Sequence, residues 1–130
     1  MTKTRRKEKA ISYIPSKLLG VSGEFYRSAV IYSGEYKNDL REGRGKLSSI
    51  DGSYLYAGDW QDNMMQGNGI LNSSKLGRYT GAFYKDYFEG KGNLVDLDNN
   101  IYDGMFHKGQ KKGKGELKLN NGPNKLMKNF

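Results

Sequence analysis

The sequence contains no cysteine, a single histidine, two prolines and no long apolar run. Without cysteine there is no disulfide framework, no thiol nucleophile and no zinc site with thiolate ligands. One histidine, His107, excludes a histidine-rich metal centre. No stretch reaches the roughly 18 apolar residues that a membrane-spanning helix needs. The opening residues MTKTRRKEKA carry the charge of a signal peptide without its apolar segment, so we expect a soluble, non-secreted, cytoplasmic chain with no metal and no cofactor.

Glycine and aromatic residues are abundant instead. The 130 residues include 18 glycines, ten tyrosines, five phenylalanines and one tryptophan, although only 35% of the chain is hydrophobic. A chain of this length is typically one domain. The bias is too regular for a disordered tail, which is normally poor in aromatic residues. We therefore expect an ordered domain built from tyrosine and glycine.

The net charge of +8 is concentrated at the two ends of the chain. Residues 1–9 hold five basic residues against one glutamate, and residues 105–130 hold seven lysines against one glutamate. Such ends attract acidic partners, among them anionic lipid and the surface of microtubules, or they serve only as solubilising tails. Nucleic acid is a partner that we do not expect. The candidate basic contacts are Lys3, Arg5, Arg6, Lys7, Lys9, Lys111, Lys112 and Lys114.

Four stretches of the chain share one pattern. They are YSGEYKNDLREGRGKL from Tyr32, YAGDWQDNMMQGNGIL from Tyr56, YTGAFYKDYFEGKGNL from Tyr79 and YDGMFHKGQKKGKGEL from Tyr102. Each stretch reads Tyr-x-Gly-x-aromatic, then six residues, then Gly-x-Gly-x-Leu. A repeat of this length indicates a stack of identical structural units.

Within each unit the pattern has a period of two, which is typical of strands. In the first unit we expect Gly43, Gly45 and Leu47 to share one face of the returning strand, and the six residues from Lys37 to Glu42 to close the hairpin. Glycine weakens a strand, but it also leaves room for a large ring to lie on the neighbouring backbone. The predicted structural glycines are Gly34, Gly43, Gly45, Gly58, Gly67, Gly69, Gly81, Gly90, Gly92, Gly104, Gly113 and Gly115.

This pattern and its 23-residue period resemble the MORN repeat (membrane occupation and recognition nexus), in four copies over residues 32–117. The resemblance implies an all-β fold, an elongated single-layer antiparallel meander of tandem hairpins with irregular capping termini. Family members usually place glycine in the hairpin turn, as Gly109 does here, whereas the other three units have Asp39, Asn63 and Asp86. Both residue types tolerate turn geometry, so the fold expectation stands.

The segments that flank the repeats are expected to cap the stack, since a repeat array needs covered ends. Residues 1–31 form a basic arm whose part from residue 10 is the front cap, with a capping strand from Phe25 to Ile31. Residues 118–130 form a basic tail, and Leu126, Met127 and Phe130 supply its apolar contacts. The tail is a cap or a hook for another protein, and we favour the cap.

No group of residues suggests catalysis, so we expect no enzymatic activity and no small-molecule substrate. His107 follows Phe106 and is predicted to lie exposed on the face opposite the aromatic row. The carboxylates fall in strands and turns without a converging pocket, and we expect a cross-strand charge pair between Glu35 and Arg44 or Lys46. The Gly-x-Gly pairs are strand glycines and not phosphate loops, because no Gly-x4-Gly-Lys-Ser/Thr motif occurs.

Three function classes follow from the resemblance. The favoured one is a non-enzymatic scaffold for other protein subunits, in which an exposed aromatic row forms a groove for a helix or an extended partner segment. Related proteins serve in cilia and flagella, in the cytoskeleton and at membrane contacts, and the acidic microtubules make the axoneme the preferred location. The second class binds anionic lipid such as phosphoinositide through the basic ends, and the third is the front part of an enzyme. The predicted groove consists of Tyr32, Tyr36, Tyr56, Trp60, Tyr79, Phe83, Tyr102 and Phe106.

Overall fold

The computed structural model describes residues 6–13, 29–122 and 125–130, with side chains for residues 30–122 and 126–130. Within these residues the chain forms ten β-strands and no helix, and hence no helix long and apolar enough to cross a membrane. The strands are β1 (Arg6–Tyr13), β2 (Ala29–Lys37), β3 (Leu40–Ser49), β4 (Tyr54–Gln61), β5 (Met64–Ser73), β6 (Gly77–Tyr84), β7 (Tyr87–Val95), β8 (Ile101–His107), β9 (Gln110–Lys118) and β10 (Lys125–Asn129).

All ten strands belong to one sheet, and their order in the sheet is their order in the chain. Every neighbouring pair is antiparallel. The predicted all-β antiparallel meander is therefore confirmed. Each of the four sequence units is one hairpin, made in turn by β2–β3, β4–β5, β6–β7 and β8–β9.

The hairpin turns are shorter than the sequence suggested. Lys37 pairs with Leu40, so only Asn38 and Asp39 lie between the strands of the first hairpin, and the predicted six-residue connection is wrong. Both turn residues have positive φ, 53° and 65°, which is the conformation of a two-residue type I′ turn. A type I′ turn has the same twist as the strands that it joins, so the strands stay paired up to the residues next to the turn. The corresponding turns are Asp62–Asn63, Lys85–Asp86 and Lys108–Gly109.

The first glycine of each Gly-x-Gly pair lies in a β-bulge. Gly43 has a φ of 80°, and the register between β2 and β3 shifts between Gly34 and Tyr36. The bulge interrupts the pairing of β3 with β2, whereas its pairing with β4 runs without a shift from Gly43 opposite Trp60 to Leu47 opposite Tyr56. The expectation that Gly43, Gly45 and Leu47 share a face agrees with this second ladder. Positive φ explains why glycine is required there. The equivalent bulge glycines are Gly67, Gly90 and Gly113, with φ of 115°, 86° and 70°.

From the second unit onward, each turn is hydrogen-bonded to the hairpin that precedes it. The Asn63 N–H donates to the Arg41 carbonyl at 2.9 Å, and the Asp86 N–H donates to the Met65 carbonyl at 3.0 Å. The Asp86 carboxylate also accepts the Met65 N–H at 2.8 Å. Asparagine and aspartate thus do more than tolerate turn geometry, because their side chains also accept hydrogen bonds from the preceding hairpin. In the fourth turn the Gly109 N–H donates to the Phe88 carbonyl at 3.0 Å, and the Lys108 N–H donates to the Glu89 carboxylate at 3.0 Å.

The two ends of the sheet are strands where irregular caps were expected. Residues 6–13, assigned to the basic arm, form β1 and pair with β2, so Arg6, Lys7 and Lys9 lie in a strand. Of the predicted capping strand from Phe25 to Ile31, residues 29–31 begin β2 and the rest lie outside the described residues, as do Lys3 and Arg5. At the other end β10 pairs with β9 and adds a tenth strand.

The core lies on one face of the sheet, called here the ring face because it carries the repeat tyrosines. It is built from the repeat aromatics other than the partly buried Tyr36, together with the buried Leu47, Leu71, Met65, Phe88, Tyr54 and Val30. The opposite face carries the alternate side chains, such as Arg44, Asp59 and Lys91. A single layer therefore supplies its own core from one side.

Candidate functional site

Each repeat tyrosine lies flat over a glycine of its own hairpin. A Cβ atom at Gly69 would lie 2.6 Å from the Tyr56 Oη, which is closer than packing permits. The Tyr56 hydroxyl reaches past the glycine and donates to the Asp59 carbonyl at 2.7 Å. The same hydroxyl-to-carbonyl bond recurs in every unit, from Tyr32 to Glu35, from Tyr79 to Ala82 and from Tyr102 to Met105. The second glycine of each Gly-x-Gly pair thus leaves the space that the tyrosine ring occupies.

The rings form a continuous ladder across the four units. Within a unit the tyrosine meets the second aromatic edge to face, as Tyr56 meets Trp60 with centroids 5.1 Å apart. Between units the tyrosine meets the second aromatic of the next hairpin, as Tyr56 meets Phe83 at 5.0 Å. Edge-to-face contacts stabilise beyond the area they bury. The ladder therefore couples every hairpin to its neighbour.

The expectation that some of the aromatic row stays exposed is wrong. Tyr36 alone among its eight members is half-buried, and the other seven are at most 3% exposed. Two features of the sheet cover the rings without a second layer. First, the rings contact one another edge to face. Second, where a turn is hydrogen-bonded to the preceding hairpin, a side chain from the returning strand of that hairpin lies over the rings. Partner binding by this row stays a prediction, and it must act through what remains accessible around the rings.

Burial fixes the protonation state of the ring hydroxyls. Loss of solvent raises the pKa of Tyr32 to about 12, and it also raises the pKa values of Tyr56 and Tyr79 well above the ordinary tyrosine value. A neutral hydroxyl that donates to a backbone carbonyl cannot serve as a base near neutral pH. These hydroxyls hold the backbone in place.

One position that the sequence analysis missed covers the rings, nine residues after each tyrosine. In the second and third units it holds Met65 and Phe88, both buried. In the first unit it holds Arg41, whose guanidinium carbon lies 4.9 Å from the Trp60 ring centre. Burial lowers the pKa of Arg41, and its Nε has no hydrogen-bond partner among the described residues. In the fourth unit Lys111 lies over Tyr102 at 5.4 Å. The constant nine-residue spacing from each tyrosine could have identified this position in the sequence. The residue there changes from charged to apolar between units, so no recurring residue type draws attention to it.

The ring face opens toward the C-terminal end of the sheet. The unit-ending Leu47 and Leu71 are buried, whereas Leu94 and Leu117 are only partly buried. The cause lies two residues before each tyrosine. That position holds large buried side chains, Val30 and Tyr54, in the first two units, but Gly77 and Asn100 in the last two.

Beyond Leu117 the ring face continues onto β10, where the apolar side chains are exposed. Leu126 is 51% exposed and Phe130 is 42% exposed. Leu126 lies opposite Leu117 in the register, and the Phe130 ring contacts Tyr102. The accessible apolar stretch, called here the open end, therefore consists of Leu94, Leu117, Leu126 and Phe130.

Lysines surround the open end on both faces of the sheet. On the ring face, Lys111 and Lys128 lie over the Phe130 ring, at 5.6 and 5.8 Å from its centre. On the opposite face, strand alternation places Lys112 beside Met105, and Lys114 next to the ring-face Gly115. The predicted basic contacts of this end thus divide between the two faces.

The charged residues at other places form local contacts. His107 lies at the surface, as the sequence predicts, and its Nδ1 is 2.9 Å from Glu89. Burial of Glu89 is outweighed by hydrogen bonds from the Lys108 N–H and His107, which hold its pKa below the usual value. Arg44 pairs with Asp59 at 3.0 Å, while Glu35 accepts the Arg44 backbone N–H at 3.3 Å. In the described part of the chain no three metal-ligating residues cluster together.

Comparison with known proteins agrees with this geometry. The family model described as MORN repeat matches four tandem segments, residues 32–54, 56–75, 79–99 and 102–123. No curated protein matches the chain. MORN repeats form a non-enzymatic repeat module that takes part in protein–protein and membrane–lipid interactions. Because the matched segments cover well over half of the sequence and coincide with the four hairpins, the chain belongs to the MORN-repeat family.

Proposed function

We propose that this chain is a non-enzymatic scaffold that holds a segment of another protein at the open end of its ring face. The observation that carries the proposal is the change in burial along the ring face. On this face Leu47 and Leu71 are buried, whereas Leu94 and Leu117 are partly buried and Leu126 and Phe130 are exposed. Exposed apolar stretches with a polar rim are typical of partner sites.

The ring ladder suits this role because it makes the sheet rigid. Each inter-unit ring contact, such as Tyr79 with Phe106 at 5.2 Å, repeats the one before it. A partner that binds a rigid surface loses less conformational entropy than one that must order it. The buried aromatic row then supports the contact surface from below. Tyr36, in the first repeat, is half-buried and is the one member of the row that a partner can reach directly.

The lysines suggest what kind of assembly contains the scaffold. Lys111, Lys112, Lys114 and Lys128 give the open end a positive rim. Such a rim favours an acidic neighbour and speeds association with it. We propose that the chain is a small subunit of a cytoplasmic complex on the cytoskeleton, most specifically of a ciliary or flagellar axoneme, where microtubules supply an acidic surface.

Binding to anionic lipid is the second candidate. The exposed Phe130 ring between Lys111 and Lys128 favours it, because interfacial aromatic residues beside lysines bind acidic headgroups. A flat membrane, however, meets only one face of a sheet, and Lys112 and Lys114 lie on the other. We therefore rank the protein partner first.

Affinity capture with a matched pair of variants tests the scaffold. Phe130→Ser removes the exposed ring of the open end, whereas Leu97→Ser removes a side chain that is 60% exposed but lies between the third and fourth hairpins. We expect the wild-type chain and Leu97→Ser to capture the same proteins from a ciliated-cell extract and Phe130→Ser to lose them. Capture of no protein, together with co-sedimentation with phosphoinositide vesicles that Phe130→Ser abolishes, would establish the lipid function instead.

A further inference from the structure

Strand β10 is built as the first strand of a fifth repeat. Leu126 follows Tyr102 by the same 24 residues that separate Tyr32 from Tyr56. Leu126, Lys128 and Phe130 then occupy the tyrosine, glycine and second-aromatic positions. The register agrees, because Leu126 pairs with Leu117 as Tyr102 pairs with Leu94. The family match ends at residue 123 and does not include this strand.

The ring geometry identifies the same relationship. Tyr102 meets Phe130 with centroids 5.0 Å apart and planes at 84°. This is the contact that joins successive units elsewhere, such as Tyr56 with Phe83 at 5.0 Å and 85°. Phe130 therefore fills the place that a fifth unit would give to its second aromatic.

Strand β10 is the edge strand of the described sheet. In the described part of the chain no strand pairs with the outer edge of β10. Phe106, which is followed by a returning strand, is 3% exposed, whereas the equivalent Phe130 is 42% exposed. The apolar side chains of β10 thus occupy the positions of a buried row but are exposed at the edge of the described sheet.

The outer edge of β10 offers backbone hydrogen-bonding groups. Phe130 and Gly113 exchange two backbone bonds, at 2.8 and 3.2 Å, so this pair is hydrogen-bonded across the β9–β10 ladder. Alternate residues along an antiparallel strand turn their N–H and C=O groups to opposite sides. Met127 and Asn129 accordingly direct theirs away from β9, toward the free edge.

The charges at this edge determine which strand fits. An added strand lies beside β10, so on the ring face its side chains meet Lys128 and approach Lys111, which lies over the same Phe130 ring. Lys112 and Lys114 are on β9 and add positive charge one strand further from this edge. A membrane reaches one face only. A second copy of this chain would bring together the seven lysines of residues 105–130, or bring them to residues 1–9, which are also basic. An acidic strand matches this positive charge and also supplies backbone acceptors for the outward N–H groups of Met127 and Asn129, which a membrane does not.

We propose that the outer edge of β10 binds an extended acidic segment of a partner protein, which adds antiparallel as an eleventh strand and completes a fifth repeat. This inference rests on the scaffold function proposed above and names the chemistry of its partner. The added strand covers Leu126 and Phe130 and accepts hydrogen bonds from Met127 and Asn129.

Two synthetic peptides test the proposal. The probe copies residues 110–119 with its four lysines replaced by glutamate, QEEGEGELEL, and the control peptide keeps the lysines, QKKGKGELKL. We expect the acidic peptide to bind the 130-residue chain in fluorescence anisotropy at least tenfold more tightly than the control. Hydrogen exchange at the Met127 and Asn129 amides should slow on binding. Equal affinity for the two peptides, or no binding of the acidic one, would overturn the proposal.

Variants of the chain locate the binding edge. Met127→Pro removes one outward N–H without removing a bond to β9, whereas Met127→Thr keeps the N–H and removes the same thioether. We expect Met127→Pro to weaken acidic-peptide binding about tenfold, Met127→Thr to stay within about threefold, and Lys128→Glu, which keeps the edge, to weaken it as well. A circular dichroism melt confirms that each variant is folded.

The remaining outcomes separate this inference from the scaffold function. If Met127→Pro captures cellular partners as well as the wild-type chain does, the edge proposal fails and the scaffold stands. If the chain binds the acidic peptide but captures no protein, the scaffold function fails and the protein partner proposed here fails with it, although the β10 edge can add an acidic strand. If the wild-type chain self-associates in solution and Met127→Pro does not, the edge belongs to a second copy and the proposal is wrong.

Discussion

The Trp60 Nε1 donates a hydrogen bond of 3.1 Å to the backbone carbonyl of Gly45, and this bond joins the second hairpin to the first. Phe83 and Phe106 occupy the same position in the later units and have no polar atom to donate. The junction between the first two hairpins is therefore tied by a side-chain bond as well as by ring packing. Arg41, stacked on the same indole, adds a cation to this junction.

Trp60→Phe should lower the free energy of unfolding by about 1 kcal/mol, because the Gly45 carbonyl loses its partner while most of the ring packing is kept. Urea denaturation followed by circular dichroism measures the change, with Tyr84→Phe at a 49% exposed ring as the control. The wild-type indole should emit as a buried ring even without a partner. An unchanged midpoint for Trp60→Phe would mean that the hydrogen bond contributes nothing.

Gly45→Val and Gly69→Val should each cost on the order of 1 to 3 kcal/mol, since the new side chain occupies the space of the Tyr32 or Tyr56 ring. Gly52→Asn is the matched control. Gly52 also has positive φ, 79°, but no atom lies within 4 Å of its missing Cβ, and asparagine tolerates that conformation. Thermal melts of the three variants give the comparison. Melting of the valine variants at the wild-type temperature would refute the ring-on-glycine packing.

The repeat and its ring-on-glycine packing could be predicted because both are local. Tyr56 and Gly69 belong to one hairpin, and their spacing recurs four times. The burial of the row could not be predicted in this way, because Trp60 is covered by Arg41, a residue of a different hairpin with an ordinarily exposed side chain. Which side chains cover a ring depends on how one turn docks on the unit before it.

The strands at the two ends of the sheet were not predicted, for a different physical reason. The fifth-repeat strand reads Leu-x-Lys-x-Phe and lacks both the tyrosine and the glycine of the pattern, so it looks like a basic tail. Only the register opposite Leu117 and the contact of Phe130 with Tyr102 reveal its position in the repeat. A strand that adds to an existing edge can depart from the pattern, because the previous hairpin supplies half of its contacts.

Arg41→Met should raise the free energy of unfolding by about 1 kcal/mol. The guanidinium is partly desolvated and its Nε lacks a partner, whereas Met65 fills the equivalent position of the next unit when fully buried. Arg44→Met, at a side chain that is 72% exposed, should change stability by less than about 0.5 kcal/mol. Chemical denaturation of both variants provides the measurement. A clear loss of stability in Arg41→Met would show that the cation–π contact with Trp60 outweighs the desolvation.

High pH should unfold the protein cooperatively. Burial raises the pKa of Tyr32 to about 12 in the folded state, above the ordinary value of 10.0. A group whose pKa is raised on folding contributes stability that is present below its unfolded pKa and is lost as the pH rises toward its folded pKa. Stability should therefore fall between about pH 10 and 12. Tyrosinate absorbance and circular dichroism should change together, and titration of all ten tyrosines near pH 10 in a folded protein would contradict the burial of the row.

The position of the lysines on two faces gives a final test between a protein partner and a membrane. Replacing Lys112 and Lys114 by glutamine removes two positive charges from the face opposite the rings, while replacing Lys111 and Lys128 by glutamine removes two from the ring face. A partner segment that wraps the edge should lose affinity in both double variants, by about threefold each, and its binding should become less sensitive to salt. A flat membrane should respond to one pair alone, because the other pair points away from it. Partner affinity and vesicle binding, measured from 50 to 300 mM salt with both variants, distinguish these cases, and a loss confined to the ring-face pair would favour the membrane over the scaffold.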